Sequence, residues 1–289
     1  MGRPTRLDLR APGARILITG ATSGLGREMA RQYGRRGARL AITGRRAERL
    51  AETATIARDA GAAETLELVG SVCDPETVAA HAAKVIDRFG GVDLAILNAG
   101  VGHPNDAREF DAGAYRDTLD TNVLGACLWI ERVLPGMLER GAGVIAGISS
   151  PGGWRGFPGV GPYSASKAAL STMLESIRVD LRGSGVAVVD VCPGFVKSEM
   201  TAKNDPRDMP IILETEDGVR RIITGIDRRR RVVHFPRRLT GPLRYLVRPA
   251  PGWLYDTLIA RLARRRPRVE AKADADADAE ANDAQTPSV

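Results

Sequence analysis

A chain of 289 residues, 43% of them hydrophobic, carries enough apolar material for one large core, which excludes wholesale disorder. Its three cysteines (Cys73, Cys127 and Cys192) and three histidines (His81, His103 and His234) are scattered without CxxC or Cys/His spacing, which excludes a disulfide framework and leaves no metal site to expect. The net charge of +7 is uneven: fifteen arginines against Asp227 and Asp256 give residues 220–268 a net +13, the tail 269–289 carries −5, and residues 1–219 are close to neutral.

The N-terminus is basic, but no apolar run precedes Ile16, and Arg6 stands where a myristoylation signal asks for Ser or Thr. No stretch supplies the roughly 20 consecutive apolar residues of a spanning helix, so a cytoplasmic chain is expected. Short apolar runs bounded by Gly, Asp or Ser have the composition of strands buried on both faces: Arg15–Thr19, Arg39–Thr43, Leu66–Val69, Leu94–Leu97, Val144–Ile148 and Val186–Val191. Between them Gly24–Arg36, Arg46–Ala60, Pro75–Phe89, Asn122–Glu139 and Tyr163–Arg182 read as helices, with Asp74 as an N-cap before Pro75 in a first turn. Repeated strand–helix–strand units of this length predict an α/β fold: a Rossmann-like, doubly wound parallel sheet of about seven strands with helices on both faces.

After Gly194 the pattern loosens. Residues 197–213, with Pro206 and Pro210, read as a flexible loop, Glu214–Gly225 as a helix, and Val232–Phe235 as a last short strand. Helical pieces follow at Leu239–Val247 and Trp253–Arg265, and the acidic, alanine-rich tail has the composition of a disordered segment. The expected division is a catalytic domain over 1–235, a basic helical extension over 236–268 and the tail over 269–289.

Chemistry concentrates at three places. The first strand runs into Gly20-Ala21-Thr22-Ser23-Gly24-Leu25-Gly26, and a strand, a glycine-rich turn and a helix together gather backbone N–H groups around a pyrophosphate. At the end of the second strand, where an acidic residue would bind the ribose hydroxyls of NAD, stand Gly44, Arg45 and Arg46. A small residue followed by arginine leaves room for a 2′-phosphate and gives it a guanidinium partner, Arg45 first and Arg46 second. Cations are disfavoured at a helix N-terminus unless an anion joins them there, so NADP(H) is the expected cofactor, with NAD(H) as the alternative. Third, Tyr163 and Lys167 lie four apart and share a helix face. A free phenol titrates near ~10, and a nearby ammonium lowers that value toward the range where general acid–base catalysis works.

The spacing TGxxxGxG, then Asn98-Ala99-Gly100 after the fourth strand, Asn122 in DTNVLG, Ser150 after the fifth strand, Tyr163-Ser164-Ala165-Ser166-Lys167, and Pro193-Gly194 followed by Val196 and Ser198 occur in that order over residues 15–198. This series resembles the short-chain dehydrogenase/reductase family. The resemblance implies a hydride exchanged between nicotinamide and a ketone/alcohol pair, with Tyr163 as the acid/base. It implies Ser150 as the hydroxyl that holds the substrate oxygen and Lys167 as the residue that holds the nicotinamide ribose. Asn122 would fix a water in the proton relay, and Gly20 to Gly26, Asn98, Ala99, Gly100, Pro193, Gly194, Val196 and Ser198 would surround the dinucleotide. Ser149 and Ser150 are adjacent, and successive side chains leave a strand on opposite sides; the family's spacing selects Ser150. The chain departs from the pattern at Ser71, where the family places an Asp beside the adenine.

The segment Pro151–Pro162 and the loop after Gly194 should roof the pocket, so Trp154, Phe157, Phe195, Met200 and Met209 suggest an apolar, lipid-like carbonyl, although Phe157 and Phe195 also suit simple loop packing. A ketoreductase acting on a carrier-bound acyl chain and a non-catalytic NADP(H)-binding regulator are the other readings. The resemblance implies a homodimer or homotetramer. No recognition motif or aromatic platform for nucleic acid accompanies the arginines. Residues 253–266, basic and amphipathic, suit an anionic membrane surface, which would make the protein peripheral to a membrane, or packing against their own domain.

Overall fold

The computed structural model describes residues 7–202 and 204–263. Seven strands, β1 (Arg15–Thr19), β2 (Arg39–Gly44), β3 (Glu64–Val69), β4 (Leu94–Leu97), β5 (Gly143–Ile148), β6 (Val186–Pro193) and β7 (Val232–Phe235), form one sheet in the order β3-β2-β1-β4-β5-β6-β7. Every neighbouring pair is parallel. The helices are α1 (Gly24–Gly34), α2 (Ala47–Asp59), α3 (Pro75–Phe89), α4 (Ala112–Leu119), α5 (Gly125–Glu139), α6 (Gly161–Asp180), α7 (Glu199–Ala202), α8 (Thr215–Asp227), α9 (Arg237–Pro242) and α10 (Gly252–Ala263). This is the Rossmann-like, doubly wound arrangement.

The alternation along each strand divides the core in two. Ile16, Ile18, Leu94, Ile96, Val144, Ala146, Val189 and Val191 pack with Met29 and Tyr33 of α1, Leu50 and Ala54 of α2, and Ile222 and Ile226 of α8. Leu17, Ala95, Leu97, Ile145 and Val188 pack on the opposite face with Val85 and Phe89 of α3, Trp129 and Val133 of α5, and Leu170 and Leu174 of α6. Each large aliphatic side chain so buried contributes about 1.5–3 kcal/mol. A helix layer on each face therefore follows from strands apolar on both sides. Local signals set some ends: Asp74 accepts from Glu76 N and caps α3, Pro75 stands in its first turn, and Gly90 ends it at φ 73°.

The strand order reverses between β1 and β4, because the chain leaves β1 for β2 and β3 and then returns to β4 on the other side. In open α/β sheets ligands bind in the crevice at the carboxyl ends of strands flanking such a reversal. The turns after β1 and β4, at Gly20 and at Asn98–Gly100, meet there.

Two segments differ from the sequence expectation. The helix expected from Asn122 begins earlier: α4 is capped by Asp111, which accepts from Gly113 N, and runs through a π-turn (Asp120–Leu124) directly into α5. α4 buries only Ala114 and Thr118, too few positions to leave an apolar period in the sequence. The loop over 197–213 holds α7, a 3₁₀ turn at Pro206–Asp208 capped by Asp205, and a parallel bridge between Val196 and Leu213. α7 and the 3₁₀ turn bury no residue, whereas the bridge seats Val196 and Leu213 against the core.

The chain divides into two compact units, residues 1–250 and 251–289. In the first, α9 packs on β7. In the second, α10 exposes Trp253, Leu254 and Leu258 and carries Arg261 in its last turn. Arg264, Arg265 and the tail expected at 269–289 lie outside the described residues. Among the described residues no helix is long and apolar enough to cross a membrane.

Candidate active site

The turn after β1 is a backbone cradle. Gly20 has φ +65°, and a Cβ there would stand 2.7 Å from Ala99 Cα. A Cβ on Gly26 would stand 2.3 Å from Gly20 O, and one on Gly24 (φ +50°) 3.1 Å from Ser198 Cβ. Glycine is required where main chain passes this close. Ser23 occupies the N-cap of α1 without a side-chain bond to the helix, so the first N–H groups are left to a ligand. Leu25 turns inward onto the core. These features fit the pyrophosphate of a dinucleotide.

Asn98 and Ala99 brace the cradle from β4. Asn98 Nδ2 donates to Thr19 O and Gly20 O, both at 3.0 Å, and Thr19 Oγ1 accepts from Asn98 N at 2.9 Å and Ala99 N at 3.0 Å. Thr19 opens the TGxxxGxG spacing, and its part in bracing Asn98 and Ala99 shows only in the fold. Pro193 ends β6, and Gly194 N donates to Phe235 O at 2.7 Å. Val196 is buried against Gly218 of α8, and Ser198 N donates to Thr201 Oγ1 at 2.9 Å.

At the far end of the crevice Gly44 is tightly packed: a Cβ there would lie 2.4 Å from Thr22 Cγ2. Arg45 is exposed. Arg46 donates to Thr22 Oγ1 at 3.0 Å and pairs with Glu199 of α7 at 3.0 Å, and Glu199 also accepts from Ser23. Ser71 accepts from Cys73 N at 3.2 Å, within its own turn.

The candidate reacting groups gather at the carboxyl ends of β4 and β5. The π-turn places Asn122 under Val101: its Oδ1 accepts from Val101 N at 2.8 Å, and Nδ2 donates to Val101 O and to Ser166 Oγ, both at 2.9 Å. Asn122 is therefore inside a continuous helix and does not cap one. Both amide hydrogens are used, leaving one lone pair on Oδ1. A Cβ on Gly100 would lie 3.1 Å from Asn122 Oδ1 and 3.3 Å from Lys167 Nζ, so these two groups are neighbours across Gly100. Ser166, the anchor of Asn122, stands inside the Tyr163–Lys167 motif, and a fixed serine there was the only sequence sign of it.

Lys167 Nζ donates to Ile148 O at 2.8 Å and lies 5.6 Å from the centre of the Tyr163 ring. Ser150 Oγ accepts from Gly152 N at 3.0 Å and hydrogen-bonds Tyr163. Ser149 points the other way, donating to Lys167 O at 2.9 Å and meeting Ser171 Oγ at 2.7 Å. Trp154 is buried, edge-on to His234 at 5.9 Å with the Arg244 guanidinium 5.5 Å from its ring, whereas Met200 on α7 is exposed. The short turn carrying Trp154 lies flat on α6, since a Cβ on Gly153 would come within 2.6 Å of Ala168 N.

Burial pushes the Tyr163 phenol above its usual value, opposed by the Ser150 hydrogen bond. The lowering expected from a neighbouring ammonium does not prevail, because Nζ sits beside the ring and bonds a carbonyl instead of the phenol oxygen. Burial brings Lys167 down to about 8, and Cys192 and Asp190 act in the other direction. At neutral pH the pair is thus a protonated phenol beside an ammonium.

The fold resembles the crystal structure of levodione reductase, with a TM-score of 0.74 at 24% identity, over 80% of this chain and 99% of that one. Among curated proteins, an uncharacterised oxidoreductase of Myxococcus xanthus is 44% identical over 249 residues, 85% of this chain and 96% of that protein. The 11-beta-hydroxysteroid dehydrogenase 1A of Arabidopsis thaliana is 32% identical over 241 residues, 78% of this chain and 68% of that protein. The family model for short chain dehydrogenase matches residues 14–208, a span that runs from the first strand past the serine that abuts the glycine turn. On that match the chain belongs to the short-chain dehydrogenase/reductase family of oxidoreductases.

Proposed function

We propose that the protein is an NADP(H)-dependent carbonyl reductase and alcohol dehydrogenase acting on an apolar, lipid-like ketone or alcohol. The observation that carries this reading is the Ser150–Tyr163 hydrogen bond beside Lys167, at the strand reversal that also holds the glycine cradle. The nicotinamide, when bound, supplies or accepts the hydride. Ser150 and Tyr163 hold the substrate oxygen between two hydroxyls, where charge builds as the carbonyl is reduced. Tyr163 gives that oxygen its proton and recovers one from the Lys167 ammonium. Ketone reduction is accordingly expected to hold below pH 8 and to fall above it as Lys167 loses its proton, read from kcat across pH.

Cofactor preference rests on Gly44 and the two arginines. A side chain at 44 would crowd the Thr22 methyl, which supports a glycine here in place of an acidic ligand of the ribose hydroxyls. Arg45 is exposed, whereas Arg46 is already committed to Thr22 and Glu199. Arg45→Ala is expected to weaken 2′,5′-ADP binding by about tenfold, the scale of one charge-assisted hydrogen bond, and to leave 5′-ADP binding unchanged by calorimetry. Support for an apolar substrate comes from exposed Met200 and from the likeness to a protein named as a steroid dehydrogenase. Steroid, sphingoid, carrier-bound acyl and simple aldehyde carbonyls assayed side by side with NADPH and NADH test the whole reading. Faster turnover with NADH, or activity on small aldehydes alone, overturns it.

A further inference from the structure

In α10 the buried side is made by Tyr255 and Ile259, one turn apart, the first buried and the second half-buried. An amphipathic helix ordinarily keeps its large apolar side chains on that one side. α10 has a second set. At about 100° per residue, Trp253, Thr257, Arg261, Leu254 and Leu258 follow one another around the opposite arc. All five are exposed, Trp253 at 72% and Leu258 at 50%. The one acid of the helix, Asp256, lies outside this arc.

The basic character continues along the chain. Residues 244–268 hold seven arginines against Asp256, a net +6, and Arg264, Arg265, Arg266 and Arg268 follow α10 in sequence. In the preceding unit, the π-turn Leu243–Val247 leaves Tyr245 and Leu246 exposed, and exposed Arg248 comes next.

We propose that α10 docks on the surface of an anionic lipid bilayer. Leu254 and Leu258 enter the acyl boundary, Trp253 sits at headgroup level, and Arg261 lays its methylenes along them while its guanidinium reaches lipid phosphate. The helix has 12 residues, a length of roughly 18 Å, and a hydrocarbon core is about 30 Å thick. It therefore lies in the plane of the interface. An open arc of Trp, Leu and Arg matches anionic headgroups over acyl chains in both charge and polarity. An acidic protein would need a fitted groove for Trp253 and Leu258 as well as carboxylates for the arginines. A second copy of this chain would bring one arginine-rich stretch against another. The acidic tail 269–289 has no leucine or aromatic residue with which to cover the arc.

Trp129 and Trp154 are buried, so a change of tryptophan emission on docking reports on Trp253. Vesicles of phosphatidylcholine with phosphatidylglycerol, added to the full-length protein at low salt, are expected to shift that emission to the blue and to sediment the protein. Phosphatidylcholine alone should do neither, and added salt should release the protein as its charges are screened. Leu258→Asp is expected to lower the partition coefficient about tenfold, the scale of one large apolar side chain left in water. Arg261→Ala should lower it about fivefold on the anionic vesicles. Trp253→Phe should abolish the blue shift while the protein still sediments. These side chains are exposed, so the three variants should melt at the wild-type Tm. Absence of sedimentation with anionic vesicles overturns the proposal, as does equal sedimentation of wild type and Leu258→Asp. A Leu258→Asp variant that changes only the molecular mass in solution also overturns it, marking the arc as a contact between copies. Docking needs neither cofactor nor substrate, so failure of the carbonyl-reductase reading leaves these readouts unaltered.

Discussion

Tyr163→Phe is expected to lower kcat for ketone reduction by about 10³-fold, the middle of the range for losing a general acid, while the protein still folds and binds dinucleotide. The ring is held by contacts that phenylalanine keeps. A Cβ on Gly102 would lie 3.2 Å from Tyr163 Cδ2, and one on Gly152 would lie 3.4 Å from Cε1, so the ring fills a slot between two glycines. Only the oxygen is removed, and Ser150 retains its bond from Gly152 N. The loss therefore belongs to proton transfer and to the second hydroxyl on the substrate oxygen, and it should appear in kcat with little change in dinucleotide Kd. Turnover within a factor of two of wild type would remove Tyr163 from the chemistry.

Gly26→Ala is expected to abolish dinucleotide binding and to cost about 1–3 kcal/mol of stability, the usual penalty for overpacking. The new methyl would meet Gly20 O at 2.3 Å, Asn98 Nδ2 at 2.8 Å and Ala21 Cα at 2.9 Å. Two of these are backbone atoms, and the third belongs to the side chain that braces the cradle from β4, so none can yield cheaply. Relief requires α1 to move off the glycine turn, which removes the close approach that a pyrophosphate needs. Gly241→Ala is the control, because a Cβ there meets nothing within 4 Å. It should change Tm little and leave binding intact. Equal effects of the two substitutions, by thermal melting and calorimetry, would contradict this account.

Much of the site could be read before folding because its signals are local. The turn after β1, the Asp74-Pro75 start of α3 and the Tyr163–Lys167 spacing each depend on neighbours within a few residues. Asn122 was legible as a motif residue but its setting was not. The π-turn that aims it is one residue wider than an α-turn, and what stabilises it is a set of bonds to Val101 and Ser166, 21 and 44 positions away. The position of Trp154 in the segment 151–162 predicts it at the pocket. Its neighbours turn out to be His234 and Arg244, brought from the last strand and the turn after α9, which no local pattern announces.

By itself the sequence determined the strand and helix alternation, the glycine cradle and the order of the reactive residues, because steric need and hydrophobic period act over short spans. Tertiary structure decided in which direction burial moves Tyr163 and Lys167, and which neighbours oppose that shift. Those properties depend on desolvation and on charges carried by neighbouring strands, and both exist only once the sheet has closed around them.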